Sequence, residues 1–162
     1  IEGRKLAELL ERSEKVYELP TDGWTFKLDD WGSRTDEPAT WDQPIAIGKS
    51  WRDQGVTGSD KVGLYRLEFM MPAELKGRKL HFYLPDVDGS VWLSSLKCPR
   101  PQEMGHRYVG LEPEALRKPF VMTHPRFASF FWKPGTPAVV VIKVMRPGPT
   151  GGIMAPIQII AE

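Results

Sequence analysis

A single cysteine, Cys98, excludes an intrachain disulfide and carries no local signature of a catalytic thiol. No apolar run approaches the ~20 residues that a membrane-spanning helix requires, and the first residues lack the charged start and apolar stretch of a signal peptide. Charge is balanced, with 22 basic against 21 acidic residues and a net charge of +1, so the chain carries no electrostatic footprint for nucleic acid or an anionic membrane. His81, His106 and His124 fall in no HxH, HExxH or Cys/His spacing. Neither a GxSxG serine motif nor a phosphate-cradling glycine loop is present. What the chain has in excess is turn formers: 15 Gly and 15 Pro among 162 residues. With 41% hydrophobic and 27% charged residues, this composition describes one globular domain of many short elements. At this length roughly 70% of the unfolded chain's surface can be buried, so a full core needs no staples.

The chain opens on Ile1 rather than methionine, which reads as an excised or processed piece of a longer polypeptide. Residues 1–4 also spell a protease-recognition sequence used in engineered fusions, and they carry no weight for the fold. An extracellular or periplasmic setting is the expectation, because bacterial secreted β-domains often lack disulfides.

Residues 5–17 show the one convincing helical pattern, with Leu6, Leu9, Leu10, Val16 and Tyr17 near one face and Pro20 beyond it. Residues 1–20 are therefore expected to be a helical connector, and residues 21–162 a β-rich body. From Gly23 the period changes to two. Trp24, Phe26 and Leu28 share one face of a first strand. Over residues 62–70, Tyr65, Leu67 and Phe69 oppose Leu64, Arg66 and Glu68; over residues 79–84, Leu80, Phe82 and Leu84 oppose Lys79, His81 and Tyr83. The β-branched run at 138–144 suits a central strand covered on both faces, and residues 157–160 a terminal strand. Residues 29–40, 52–61, 99–105 and 146–156 read as turns. This alternation of short strands and Gly/Pro turns predicts an all-β antiparallel sandwich behind a short helix.

Chemistry-bearing constellations are sparse. Glycoside hydrolysis needs two carboxylates about 5 to 9.5 Å apart, and the nearest pairs are Asp29/Asp30, Asp36/Glu37 and Asp86/Asp88. All lie in turn-like segments, where Asp caps backbone amides. Asp86 and Asp88 are weak candidates for a structural calcium, since carboxylates with backbone carbonyls suit that ion, but no full calcium loop is spelled out. Tryptophan carries a stronger signal. Trp31, Trp41 and Trp51 stand in polar, turn-prone stretches, whereas Trp24 and Trp92 lie within alternating strands and belong to the core. An indole outside the core can take the apolar face of a pyranose while neighbouring polar groups bond its hydroxyls; the competing reading is that these tryptophans seal the sandwich edge.

The order of Trp24-Thr25-Phe26, Trp41, Trp51 with Gln54-Gly55, Tyr65-Arg66, Pro72, Leu75-Lys76-Gly77, Val87-Asp88 and Val91-Trp92-Leu93 is similar to one known pattern. It resembles the N-terminal sugar-binding domain of glycoside hydrolase family 2 enzymes, a galactose-binding-domain-like jelly roll. The likeness continues through Gly105-His106, Pro119-Phe120, Lys133-Pro134-Gly135 and Gly151-Gly152-Ile153. It departs at Ser94-Ser95, where that family commonly has Asn-Gly, and at residues 121–125. The resemblance implies a jelly-roll frame and a non-catalytic role, because the catalytic acids of such enzymes lie in a separate domain. On this reading the chain is a carbohydrate-binding or carbohydrate-associated accessory domain of a larger glycoside hydrolase. Its expected partners are a polysaccharide or oligosaccharide and the catalytic domain of the parent chain, with no cofactor. Trp31, Trp41 and Trp51 would stack on sugar, and Arg52, Asp53, Gln54, Arg66, His106 and Arg107 would bond hydroxyls. The alternative is a structural module that packs on a catalytic domain without touching glycan, for which Leu6, Leu9 and Leu10 would need an outside partner.

Overall fold

The computed structural model describes residues 3–29, 43–56, 61–95, 98–105, 117–122, 135–146 and 150–162. The N-terminal helix, α1 (Gly3–Arg12), is shorter than its apolar periodicity predicts. After Ser13 the chain becomes extended as β1 (Glu14–Glu18), which pairs antiparallel with β11 (Gln158–Ala161), setting Lys15 opposite Ile160 and Tyr17 opposite Ile159. Val16 and Tyr17 are thus strand residues: a sheet partner almost at the other end of the sequence overrides a local helical pattern. Leu6 and Leu9 are buried against Val121 and Ile160, with Leu10 and Tyr83 beside them. The helix therefore covers its own sandwich, and a fully buried leucine contributes about 1.5–3 kcal/mol there. At its last residue Arg12 Nε lies 2.5 Å from Glu162, whose carboxylate also takes Lys79 Nζ at 2.7 Å and His81 Nε2 at 2.7 Å. Hydrogen bonds from Lys79, Arg12 and His81, in that order, pull the Glu162 carboxyl down to about 2. Just before residue 20, the Leu19 N–H donates to the Ile157 carbonyl at 2.8 Å.

Two antiparallel sheets form the body. In the smaller, the central strand is β5 (Leu80–Asp88). One of its edges pairs with β8 (Arg117–Met122), and the other first with β11 and then with β10 (Gly152–Ile153). The larger sheet runs β3 (Gln43–Ile45), β2 (Trp24–Asp29), β4 (Lys61–Met70), β9 (Pro137–Arg146), β6 (Ser90–Ser95) and β7 (Cys98–Gly105). Each strand predicted from alternation is present. Residues 99–105, expected as a turn, instead form an edge strand with a shifted register against β6. An edge position is where Pro99 and Pro101 can be tolerated, since they have no N–H to give to a ladder.

Alternation places Trp24, Phe26, Tyr65, Leu67, Ile142 and Val144 inside, facing Leu80, Phe82, Leu84 and Ile159 from the smaller sheet. Tyr65 is the aromatic hub, edge-on to Phe26 at 5.2 Å and to Trp24 at 6.3 Å. Both faces of β9 are covered, as its β-branched run implies: Val140, Ile142 and Val144 lie in the core, while Val141 is buried with Leu64 on the far face. Leu28 departs from the pattern and is half exposed, opposite Gly63. A buried ion pair joins the sheets, with Arg146 Nε on β9 2.7 Å from Asp88 Oδ1 on β5.

Candidate functional site

The segment 43–56 leaves β3, turns through Gly48 (φ 96°) and ends in a single 3-10 turn at Arg52–Gln54, closed by Gly55 at φ 80°. Ser50 Oγ accepts from the Asp53 N–H at 3.1 Å and fixes the start of that turn. Its stretch of polar residues makes Trp51 look exposed; the structure corrects this, because Trp51 is 0% exposed. Its amide donates to the Gly151 carbonyl at 2.8 Å, and its indole N–H donates to Tyr65 Oη at 2.6 Å. Three glycines leave room for the ring. A Cβ at Gly63 would lie 2.6 Å from the indole, one at Gly151 2.8 Å from it, and one at Gly152 3.5 Å from it. Trp51 is therefore a keystone of the core and offers no face to a sugar. Tyr65 Oη also accepts from the Ile153 N–H at 3.4 Å, and burial pushes its phenol far above the usual range.

The other expected contact residues separate into four groups. Arg52 and Asp53 are exposed on the turn. Gln54 is a structural clamp: its Oε1 accepts from the Ala46 N–H at 2.7 Å, and its Nε2 donates to the carbonyls of Ala46 (3.0 Å) and Lys49 (3.1 Å). Arg66 lies on the far face of the larger sheet, opposite Thr25, and donates through Nη2 to Glu68 at 2.7 Å. Arg66 Nε and Thr25 Oγ1 are both buried without a partner. Trp31, Trp41, His106 and Arg107 lie outside the described residues, as does the side chain of Trp92.

Asp86 and Asp88 are each engaged by an arginine, Asp86 by Arg117 and Asp88 by Arg146. These two weak candidates for a structural calcium are ion-paired with arginines about 30 and 60 residues further along, which no local pattern reveals. Among the described residues no three His, Cys, Asp or Glu side chains gather in a way that could hold a metal ion.

What segment 43–56 does create is a cleft of about 560 Å³ beside the β2–β3 ladder, lined by Asp22, Gly23, Trp24, Thr25, Pro44, Ile45, Ala46 and Gln54. Register explains the hollow. Trp24 pairs with Ile45 and Thr25 with Pro44, so Trp24 and Ile45 turn into the core while Gly23, Thr25, Pro44 and Ala46 share the opposite face. Four small side chains leave a depression, and the clamped Gln54 borders it. Of the expected site residues that are described, only Gln54 lines this cleft; Asp22, Thr25 and Pro44 were not singled out from sequence. The available signal was the small, outward-facing half of an alternating strand, which on its own marks any solvated sheet face.

The fold and cleft define an all-β, two-sheet antiparallel sandwich with a side cleft at the edge of the larger sheet. Solved structures of β-glucuronidases contain the same fold. Ruminococcus gnavus β-glucuronidase in complex with N1-substituted uronic isofagomine matches with a TM-score of 0.65 at 16% identity, covering 92% of this chain and 30% of that one. Faecalibacterium prausnitzii β-glucuronidase matches with a TM-score of 0.62 at 16% identity, covering 91% of this chain and 32% of that one. The chain thus spans about a third of the length of these enzymes. No family model matches the sequence, and no curated protein is significantly similar to it.

Proposed function

We propose that this chain is a non-catalytic, carbohydrate-associated accessory domain of a larger glycoside hydrolase of the family 2 kind. The observation that carries the reading is one of extent: almost the whole chain superposes on a part of each β-glucuronidase that is about 30% of its length. The residues fit a supporting role. Asp86 and Asp88, the described carboxylate pair nearest in sequence, are each taken up in an ion pair with an arginine. Leu6 and Leu9 are satisfied by Val121 and Ile160, so α1 gives no reason to prefer a purely structural docking module over a glycan-associated one.

Isothermal titration of the purified chain against a panel of soluble plant and algal polysaccharides tests the binding half of the proposal. Saturable heat with at least one polysaccharide is the expected result, and silence across the panel refutes it. Turnover assays with aryl glycosides test the other half. Cleavage by this chain that is abolished by a single carboxylate substitution would overturn the non-catalytic reading.

A further inference from the structure

The cleft beside β2 and β3 has a chemical preference of its own. Among the described residues its lining contains one carboxylate, Asp22, one hydroxyl, Thr25, one amide, Gln54, and no Lys, Arg or His. Pro44 and Ala46 supply apolar surface and Gly23 leaves backbone open. A volume of about 560 Å³ falls within the range of about 300–1,000 Å³ usual for small-molecule sites. We propose that this cleft is a subsite for an uncharged saccharide unit, an inference that rests on the carbohydrate-associated reading above and specifies its ligand.

Three features select that class. An anionic sugar, such as a uronate, would meet Asp22 with no cation among the described lining residues to offset the repulsion. Arg66, opposite Thr25 on β4, donates to Glu68 and is not among the described lining residues. A neutral sugar supplies what the exposed Asp22 carboxylate lacks, since two adjacent hydroxyls can donate to its two oxygens. The sugar's C–H face then lies on Pro44 and Ala46. Thr25, which lines the cleft, has its Oγ1 buried without a hydrogen-bond partner and can donate or accept. Finally, the wall is held before any ligand arrives. Three hydrogen bonds lock Gln54 to residues 46 and 49, so little side-chain freedom is lost on binding.

The test is a ¹H–¹⁵N NMR titration of the full 162-residue chain. Probes are cellohexaose and mannohexaose as neutral ligands, an oligogalacturonate as the anionic one and a chitosan oligomer as the cationic one. The expected result is saturable shifts at Gly23, Thr25, Ala46 and the Gln54 side-chain amide with a neutral probe, and none with the oligogalacturonate. Asp22→Ala, at an exposed position, should weaken neutral binding about tenfold, the scale of one lost hydrogen bond to a charged group. Ala46→Trp should fill the cleft and abolish binding while far-UV circular dichroism stays unchanged; if that variant unfolds, Asp22→Ala alone decides. Neutral binding whose shifts lie elsewhere and survive Asp22→Ala overturns this subsite and leaves the accessory function standing. Tighter binding of the oligogalacturonate or the chitosan oligomer overturns the uncharged ligand. Absence of shifts with any probe overturns the subsite, and the polysaccharide panel then decides the accessory function separately.

Discussion

Trp51→Ala should cost more stability than any other single truncation in segment 43–56. The indole is fully buried, stacked at a tilt on Phe26 at 5.8 Å and fitted against Gly63, Gly151 and Gly152. Removing a buried aromatic of this size costs about 3–5 kcal/mol, because neighbours only partly collapse into the space. Glycine neighbours make collapse harder, having no side chains to move inward. Against a typical total of about 5–15 kcal/mol the variant remains folded but is much weakened, with a melting temperature lower by about 6–20 °C. The hydrogen bond can be isolated. Tyr65→Phe leaves the Trp51 N–H buried without its acceptor and should cost about 1–3 kcal/mol. Trp51→Phe removes the donor, and the double variant should then lose less than the sum of the singles by about 0.5–1.5 kcal/mol. Urea denaturation followed by far-UV circular dichroism measures all four variants. A Trp51→Ala loss below 1 kcal/mol, with no coupling to Tyr65, would refute the placement of Trp51 in the core and restore it as a surface group.

Three further outcomes test other parts of the fold. Gly63→Ala places a methyl 2.6 Å from both Phe26 and Trp51, and should destabilise by about 1–3 kcal/mol in the same denaturation assay. Leu9→Ala should cost about 2–5 kcal/mol if α1 belongs to this domain, whereas a free connector would lose under about 0.5 kcal/mol. Glu162 has a depressed folded-state pKa, so its contribution is complete above its ordinary value of 4.5 and is lost as pH falls through about 2. Glu162→Gln should therefore be less stable than wild type at pH 7, with the gap closing between about pH 4.5 and 2; a gap that stays constant in thermal melts across that window refutes the clasp on Arg12, Lys79 and His81.

The parts of this fold that were legible in the sequence are those governed by period two. Trp24 to Leu28, residues 62–70, 79–84 and 138–144 announce their strands because each alternates against one core. What escaped is set by partners distant in the chain. Tyr17 is a strand residue only because Ile159 lies opposite it, and Asp88 is an ion-pair residue only because β9 delivers Arg146. Trp51 is the clearest case. Its neighbours in sequence are polar, and the glycines that receive it stand at 63, 151 and 152. The cleft was invisible for a related reason, since it arises from the β2–β3 register together with Gln54 folding back onto Ala46.

The glycine socket also constrains the order of assembly. Two of its three walls, Gly151 and Gly152, and the strand that pairs with β1 all come from the final twelve residues, whereas Trp51 and β1 come from the first third of the chain. A ribosome releases those ends far apart in time. The early segments emerge with their partners unmade, so the sandwich cannot close progressively from its N-terminus; its late contacts have high sequence separation, the kind that slow folding most. The last strands close this domain's own core, and until they arrive Trp51 is an exposed aromatic on an unfinished domain.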